Sequence, residues 1–214
     1  MEKEWLSNLP TVEGAEMKAT ITIKALRAVS LAMAKKDVRY YLNGVFIENT
    51  GTPWLVATDG ARLHAFTGFG VEGEGHFIMP DTMVSAILKA AGPDKKRGPE
   101  NTVTLEHDEF TITATVDGTT LTGTAIDGRF PEWQRAVPKT ITNEPGNYNP
   151  LLLVGFSKAA RIFGVSGSLV AVAQNGAGPA LVSIRGVHNF FGVLMPCHTD
   201  EGPTNNPAYG RAIA

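Results

Sequence analysis

Apolar and polar residues alternate through residues 19–23 (ATITI), and then the alternation stops. Over residues 24–34 (KALRAVSLAMA) the apolar positions recur at helical spacing instead. Two runs rich in aromatic and β-branched residues follow, YYLNGVFIEN (40–49) and LVATDGARLHAF (55–66). Turn signals lie at residues 50–53 and at Asp59–Gly60, so the pattern predicts strand, helix, strand, strand.

The same order returns twice. HFIMP (76–80) reads as a strand, with Asp81 as the N-cap of a helix over TMVSAILKAA (82–91). Gly92 and Pro93 stop that helix. TVTLEHD (102–108), FTITATVDG (110–118) and TLTGTAID (120–127) alternate as strands, with Asp117–Gly118 as a hairpin turn. In the third round LLLVG (151–155) reads as a strand leading into a helix over FSKAARIF (156–163), ended by Gly164. SLVAVAQN (168–175), ALVSIRG (180–186) and FFGVLMP (190–196) complete it. One β-α-β-β-β unit is therefore expected three times, which makes an α+β protein. Residues 139–150 (KTITNEPGNYNP) read as a linker, and 199–214 as a tail.

Charge changes the picture of the helices. The first carries Lys24 and Arg27, with Lys35 and Lys36 at its end. The second carries Lys89 and is followed by Lys95, Lys96 and Arg97, and the third carries Lys158 and Arg161. Asp81 and Asp94 flank the second helix, and no acid is expected inside any of the three. At about 100° per residue, Lys24, Arg27, Ala28 and Lys35 share a face opposite Leu26, Val29 and Met33. Solvated helix faces ordinarily mix both signs. Cations alone point to phosphate contacts, and without an evident base-reading element these would be independent of sequence.

Composition adds exclusions. The chain has 214 residues and a formal net charge of −2, with 43% hydrophobic and 19% charged residues, ordinary for a soluble globular protein. A single cysteine, Cys197, builds neither a disulfide framework nor a thiolate metal cage, and a cytoplasmic setting is expected. The acidic start MEKEWLSNLP lacks the apolar core of a secretory signal. Catalytic motifs are missing too. GVSGS (164–168) has a glycine in the wrong place for a nucleophile elbow, and GPDKKRG (92–98) lacks the ending of a phosphate-binding loop. EHDE (106–109) alternates faces on a strand, so its side chains diverge rather than converge on a metal. His64 and His107 lie on predicted strands with no evident partner. No enzyme, cofactor or metal is expected.

Longer motifs carry a resemblance. KKDVRYYLNGVFIEN (35–49), followed by LVATDGARLHAF, closely resembles the middle domain of the bacterial β sliding clamp, the processivity factor of the replicative polymerase. AIDGRFPEWQRAVP (125–138) is similar to the end of that domain, and FFGVLMP to the final strand of the clamp's last domain. The resemblance covers about residues 18–197. It implies a DNA-clamp fold, with antiparallel sheets outside and short helices lining a pore around duplex DNA. Lys24, Arg27, Lys89, Lys158 and Arg161 would then face DNA, with Arg39, Tyr40 and Tyr41 near the rim. It also implies an apolar pocket for partner peptides, whose matching positions are Leu42, Thr58, Gly60, Arg62, Leu63, Pro138, Val193, Leu194, Met195 and Pro196. Ala61 stands where the family often has a larger side chain, and Cys197–His198 replaces the usual ending.

The expected division is an N-terminal segment (1–17), a complete two-unit domain (18–138), the linker (139–150), a single-unit half-domain (151–197) and a tail (198–214). The family's chains have six units and close as dimers. Three units per chain suggest a tetrameric ring, and a shortened clamp suggests a phage origin. Implied partners are double-stranded DNA, a polymerase or other clamp-binding proteins, and a clamp loader. Two other readings stay open at this point: a clamp mimic that binds clamp partners without encircling DNA, and a transcription-linked clamp.

Overall fold

The computed structural model describes residues 17–93 and 101–197. Strand β1 (Met17–Thr22) buries Met17, Ala19 and Ile21 and exposes Lys18 and Thr20, as its alternation requires. Thr22 ends the strand and caps helix α1 (Ile23–Ser30), its hydroxyl accepting from the Ala25 N–H at 3.2 Å. Strands β2 (Gly44–Asn49), β3 (Pro53–Thr58) and β4 (Arg62–Thr67) follow, with a short β5 (Gly70–Glu72) after them. The second unit runs β6 (Gly75–Pro80), α2 (Asp81–Ala91), β7 (Thr102–Asp108), β8 (Thr111–Val116) and β9 (Thr119–Thr124). The third runs α3 (Pro150–Ile162), β10 (Val170–Ala173), β11 (Ala180–Ile184) and β12 (Val187–Leu194).

Among the described residues all pairing is antiparallel and forms two sheets, ordered β5-β1-β7-β8-β9 and β10-β11-β12-β4-β3-β2-β6. The first two units exchange their leading strands: β1 pairs with β7, and β6 with β2. The third unit joins the first edge to edge, β12 on β4, in the register Leu194↔Arg62 to Phe190↔Phe66. The helices cover the sheets from one side, and one continuous core lies between. A smaller core, with Leu42, Phe46, Val56, Leu63, Phe130, Trp133 and Val193, sits on the other face of the seven-stranded sheet. Residues after β9 fold back over it, Phe130 stacking on Phe46 at 4.6 Å between ring centroids.

The α+β class is as expected, but four local readings are corrected. Residues 151–155 are helix, not strand: Pro150 opens α3 and the Asn149 side chain accepts from the Leu151 N–H at 3.0 Å. A run of consecutive apolar residues carries no period, and length alone favoured a strand. The third unit therefore has no leading strand among the described residues. Tyr40–Leu42 is a 3-10 turn, so the strand begins at Gly44. Helix α1 stops at Ser30, which leaves Lys35 beyond the helix. Asp81 is the first residue of α2 rather than its cap, and so an acid does lie within that helix. Asp117 and Gly118 both have positive φ, 47° and 77°, as the hairpin reading requires.

Candidate partner-binding pocket and basic helix face

The hairpin between β3 and β4 satisfies its own polar groups. Asp59 Oδ1 accepts from the backbone N–H groups of Ala61 and Arg62 at 3.0 and 2.9 Å. Its other oxygen takes Arg62 Nε at 3.0 Å. The Thr58 hydroxyl donates to the Arg62 carbonyl at 2.7 Å and accepts from the Gly60 N–H at 3.0 Å, with Gly60 at φ 90°. Asp, Arg and Thr here build a turn, not a catalytic set. Arg39 extends the network: it grips Asp37 through Nε and Nη2 at 3.0 and 2.7 Å and reaches the Asp59 carbonyl at 3.3 Å. Hydrogen bonds from the Arg39 side chain and then its backbone N–H hold the Asp37 carboxyl down to about 2.

Beside this turn lies a cavity of about 270 Å³. Leu42, Leu63 and Val193 supply apolar wall from three different elements. Pro131, Trp133 and Ala136 form another side, and Arg39, Tyr41, Thr58, Gly60, Arg62, Glu132 and Met195 complete it. Trp133 is fixed from behind. Its Nε1 donates to Glu48 Oε1 at 2.9 Å, and Gln134 Nε2 donates to the same oxygen at 3.1 Å. The Met195 N–H donates to the Ala61 carbonyl at 2.9 Å, which ties the end of β12 to the hairpin. The Met195 side chain stays 39% exposed. An apolar hollow with few polar groups suits an inserted peptide side chain.

Seven of the ten expected pocket residues line this cavity: Leu42, Thr58, Gly60, Arg62, Leu63, Val193 and Met195. Leu194 does not. It is fully buried in the main core under the helices, because alternation along β12 turns it away from Val193. Pro138 and Pro196 are not among the lining residues. Arg39 and Tyr41, expected at a DNA rim, stand in the cavity wall, and Tyr40 is exposed beside Tyr41 at 5.7 Å between ring centroids. Pro131, Glu132, Trp133 and Ala136 were missed; the signal in the sequence was a single tryptophan between Pro131 and Pro138, just after Phe130.

On the helix side, Lys89, Lys158 and Arg161 are exposed and Lys24 and Arg27 partly so. Arg27 Nη2 donates to the Gly92 carbonyl at 2.7 Å, closing the end of α2. The face is not wholly basic: Leu151 and Val154 of α3 are exposed next to Lys158. Lys95, Lys96 and Arg97 lie outside the described residues. Below the helices His64 is fully buried, its Nδ1 2.7 Å from the Ala28 carbonyl and its ring against Phe156 and Phe190. A carbonyl only accepts, so the proton sits on Nδ1. Burial, with a smaller contribution from Arg62, pushes its pKa down to about 3 against the hydrogen bond to Ala28. His107 stacks on Phe77 at 4.5 Å, while Glu106 pairs with Lys18 at 2.9 Å on the opposite side of β7.

Residues 16–132 match the family model described as DNA polymerase III beta subunit, central domain. This chain belongs to that family. Relatives include the beta sliding clamp of Vibrio cholerae, 31% identical over 163 residues, covering 72% of this chain and 43% of the relative. The beta sliding clamp of Escherichia coli K12 is 31% identical over 161 residues, covering 73% and 41%. The chain thus spans less than half the length of these relatives. The fold likeness reaches further. A Pseudomonas aeruginosa sliding clamp superposes with a TM-score of 0.63 at 22% identity, over 90% of this chain and 69% of that one. An H. pylori beta clamp in complex with diflunisal gives 0.68 at 12% identity over the same shares. The beta-subunit fold thus extends beyond the matched central domain into the third unit. No helix among the described residues is long and apolar enough to cross a membrane.

Proposed function

We propose that this beta-subunit relative is a non-catalytic sliding-clamp factor that encircles duplex DNA and tethers a polymerase or another partner through a short peptide. The observation that carries the reading is the cavity where β4, β12 and residues 131–136 meet, with Leu42, Leu63, Val193 and Met195 on its walls. A partner's apolar side chain would enter it, and Arg39 and Arg62 would meet the peptide's polar groups at its edge. Lys24, Arg27, Lys89, Lys158 and Arg161 would face phosphates without reading bases, and Tyr40 would stack at the rim. Residues 18–138 act as the two-unit domain and 151–197 as a half-domain that completes the pocket. Several copies form the ring, four on the count of units, and a loader opens it. The site of action is the cytoplasm, where bacterial DNA is copied.

Two measurements test the reading. Loaded protein should stay on nicked circular DNA at raised salt and slide off linear DNA; equal retention on both removes the topological claim. A peptide carrying a polymerase's clamp-binding motif should bind, and Met195→Ala should weaken it about tenfold, or ~1.4 kcal/mol, with DNA retention intact. Peptide binding without DNA affinity at any salt would instead favour a clamp mimic.

A further inference from the structure

We propose that β9 is the edge through which two copies of this chain join, strand β9 against strand β9 across a two-fold axis, with Thr122 opposite Thr122. The pairing gives the proposed ring one of its joints and rests on that reading only for ring closure.

Sheet edges are normally blunted by charge, proline, shortness or a cover. The other edges here show such features in part. β5 is three residues long and carries Glu72. β6 is bridged by the Ile126 N–H, which donates to the Ile78 carbonyl at 2.9 Å. Asn143 meets the end of β10, its N–H donating to the Gln174 carbonyl at 3.1 Å. β9, by contrast, is six residues of Thr, Leu and Gly at the end of its sheet, with neither charge nor proline.

The molecule itself shows what such an edge accepts. β4 is the last full strand of the first unit and pairs antiparallel with β12, the last strand of the third. β9 is the last strand of the second unit and has no such mate among the described residues. Last strand on last strand is thus the joint this fold already makes. β10 is a poorer match, because its counterparts β2 and β7 pair with leading strands, β6 and β1.

The register follows from the backbone. The Ala125 N–H donates to the Phe110 carbonyl at 2.7 Å, so residues 121 and 123 also point towards β8. Thr120, Thr122 and Thr124 therefore turn their N–H and C=O groups outward. Centring the axis on Thr122 pairs Thr120 with Thr124 of the second copy and satisfies all three residues on both strands. It also sets half-buried Leu121 opposite Gly123 of the second copy, a large side chain over a position with none. The established joint has the same complementarity, with Gly192 opposite His64 and Ala65 opposite Phe191. Both copies keep their helices on one side, because Gly123 faces Met83 of α2 in each.

Sedimentation of the full chain should show a particle of at least twice the chain mass, and of four times that mass where the ring closes. Thr122→Pro removes an N–H that points away from β8 and bonds nothing among the described residues of its own copy, and Thr122→Lys puts like charges on the axis. Both should sediment at half the parental mass with an unchanged far-ultraviolet circular dichroism spectrum and unchanged peptide affinity, so loss of this joint is distinct from loss of the pocket. In a Cys197→Ser background, a short bifunctional thiol reagent should join Thr122→Cys chains to each other. A wild-type monomer at all concentrations, or an assembly whose mass neither Thr122 substitution lowers, overturns the proposal. So does a crosslink that forms only when Thr122→Cys is mixed with Ala171→Cys, which would mean β9 on β10.

Discussion

His64 shows how one residue can look functional and be structural. In the sequence it sits two positions from an arginine, in a stretch that also holds Asp59. In the fold its neutral ring is sealed between α1, α3 and β12, with a pKa near 3 against an ordinary value of 6.5. The unfolded chain takes up a proton at His64 near pH 6.5 that the folded chain refuses until about pH 3. His64 therefore stabilises the fold fully above pH 6.5, and that contribution falls as pH drops from 6.5 towards 3. The slope approaches about 1.4 kcal/mol per pH unit at most. Urea unfolding between pH 7 and pH 4 should show this loss, and His64→Leu should remove most of the slope. An unchanged slope in the variant would assign the loss to other groups. Alternation along β4 sets His64 and Arg62 on one face; it carries no information on what that face meets.

At the scale of elements, legibility followed periodicity. β7 and β8 alternate buried and exposed positions, and their boundaries were readable to within a residue or two. α3 was misread where its apolar residues run together, although Asn149 and Pro150 stood in the order of a helix start. The pocket was readable where resemblance supplied positions on β4 and β12, and unreadable over 131–136, where a 3-10 turn (Trp133–Ala136) is held by Glu48 from a distant strand. Glycine in a strand marks close approach, and Gly192 on β12 is such a mark. A side chain there would collide with the Phe156 ring and come within 2.7 Å of the Leu63 carbonyl. Gly192→Ala should destabilise the protein by about 1–3 kcal/mol, the usual range for overpacking a core. Because the collision lies where β12 meets both β4 and α3, hydrogen exchange should rise first in β12 and α3. A variant as stable as the parent would show that this joint yields.

For the whole molecule, the net charge of −2 says little, because sign is distributed by element. The pairing of strands between units was equally hidden: alternation tells a strand which face to bury and not which neighbour to take. The helix face is the level at which charge becomes testable. Lys158 and Arg161 are exposed on α3, whereas Arg27 already gives one arm to Gly92. If the two α3 cations neutralise phosphates, each contributes about −0.9 to the slope of log affinity against log salt per copy. Lys158→Ala with Arg161→Ala should then flatten the slope by about 2 per copy engaged, while peptide binding at the pocket stays constant. Removing Arg27 instead would confound the slope with a loosened end of α2. An α3 double variant with the parental slope would place the DNA contacts elsewhere, even if the chain still forms a ring.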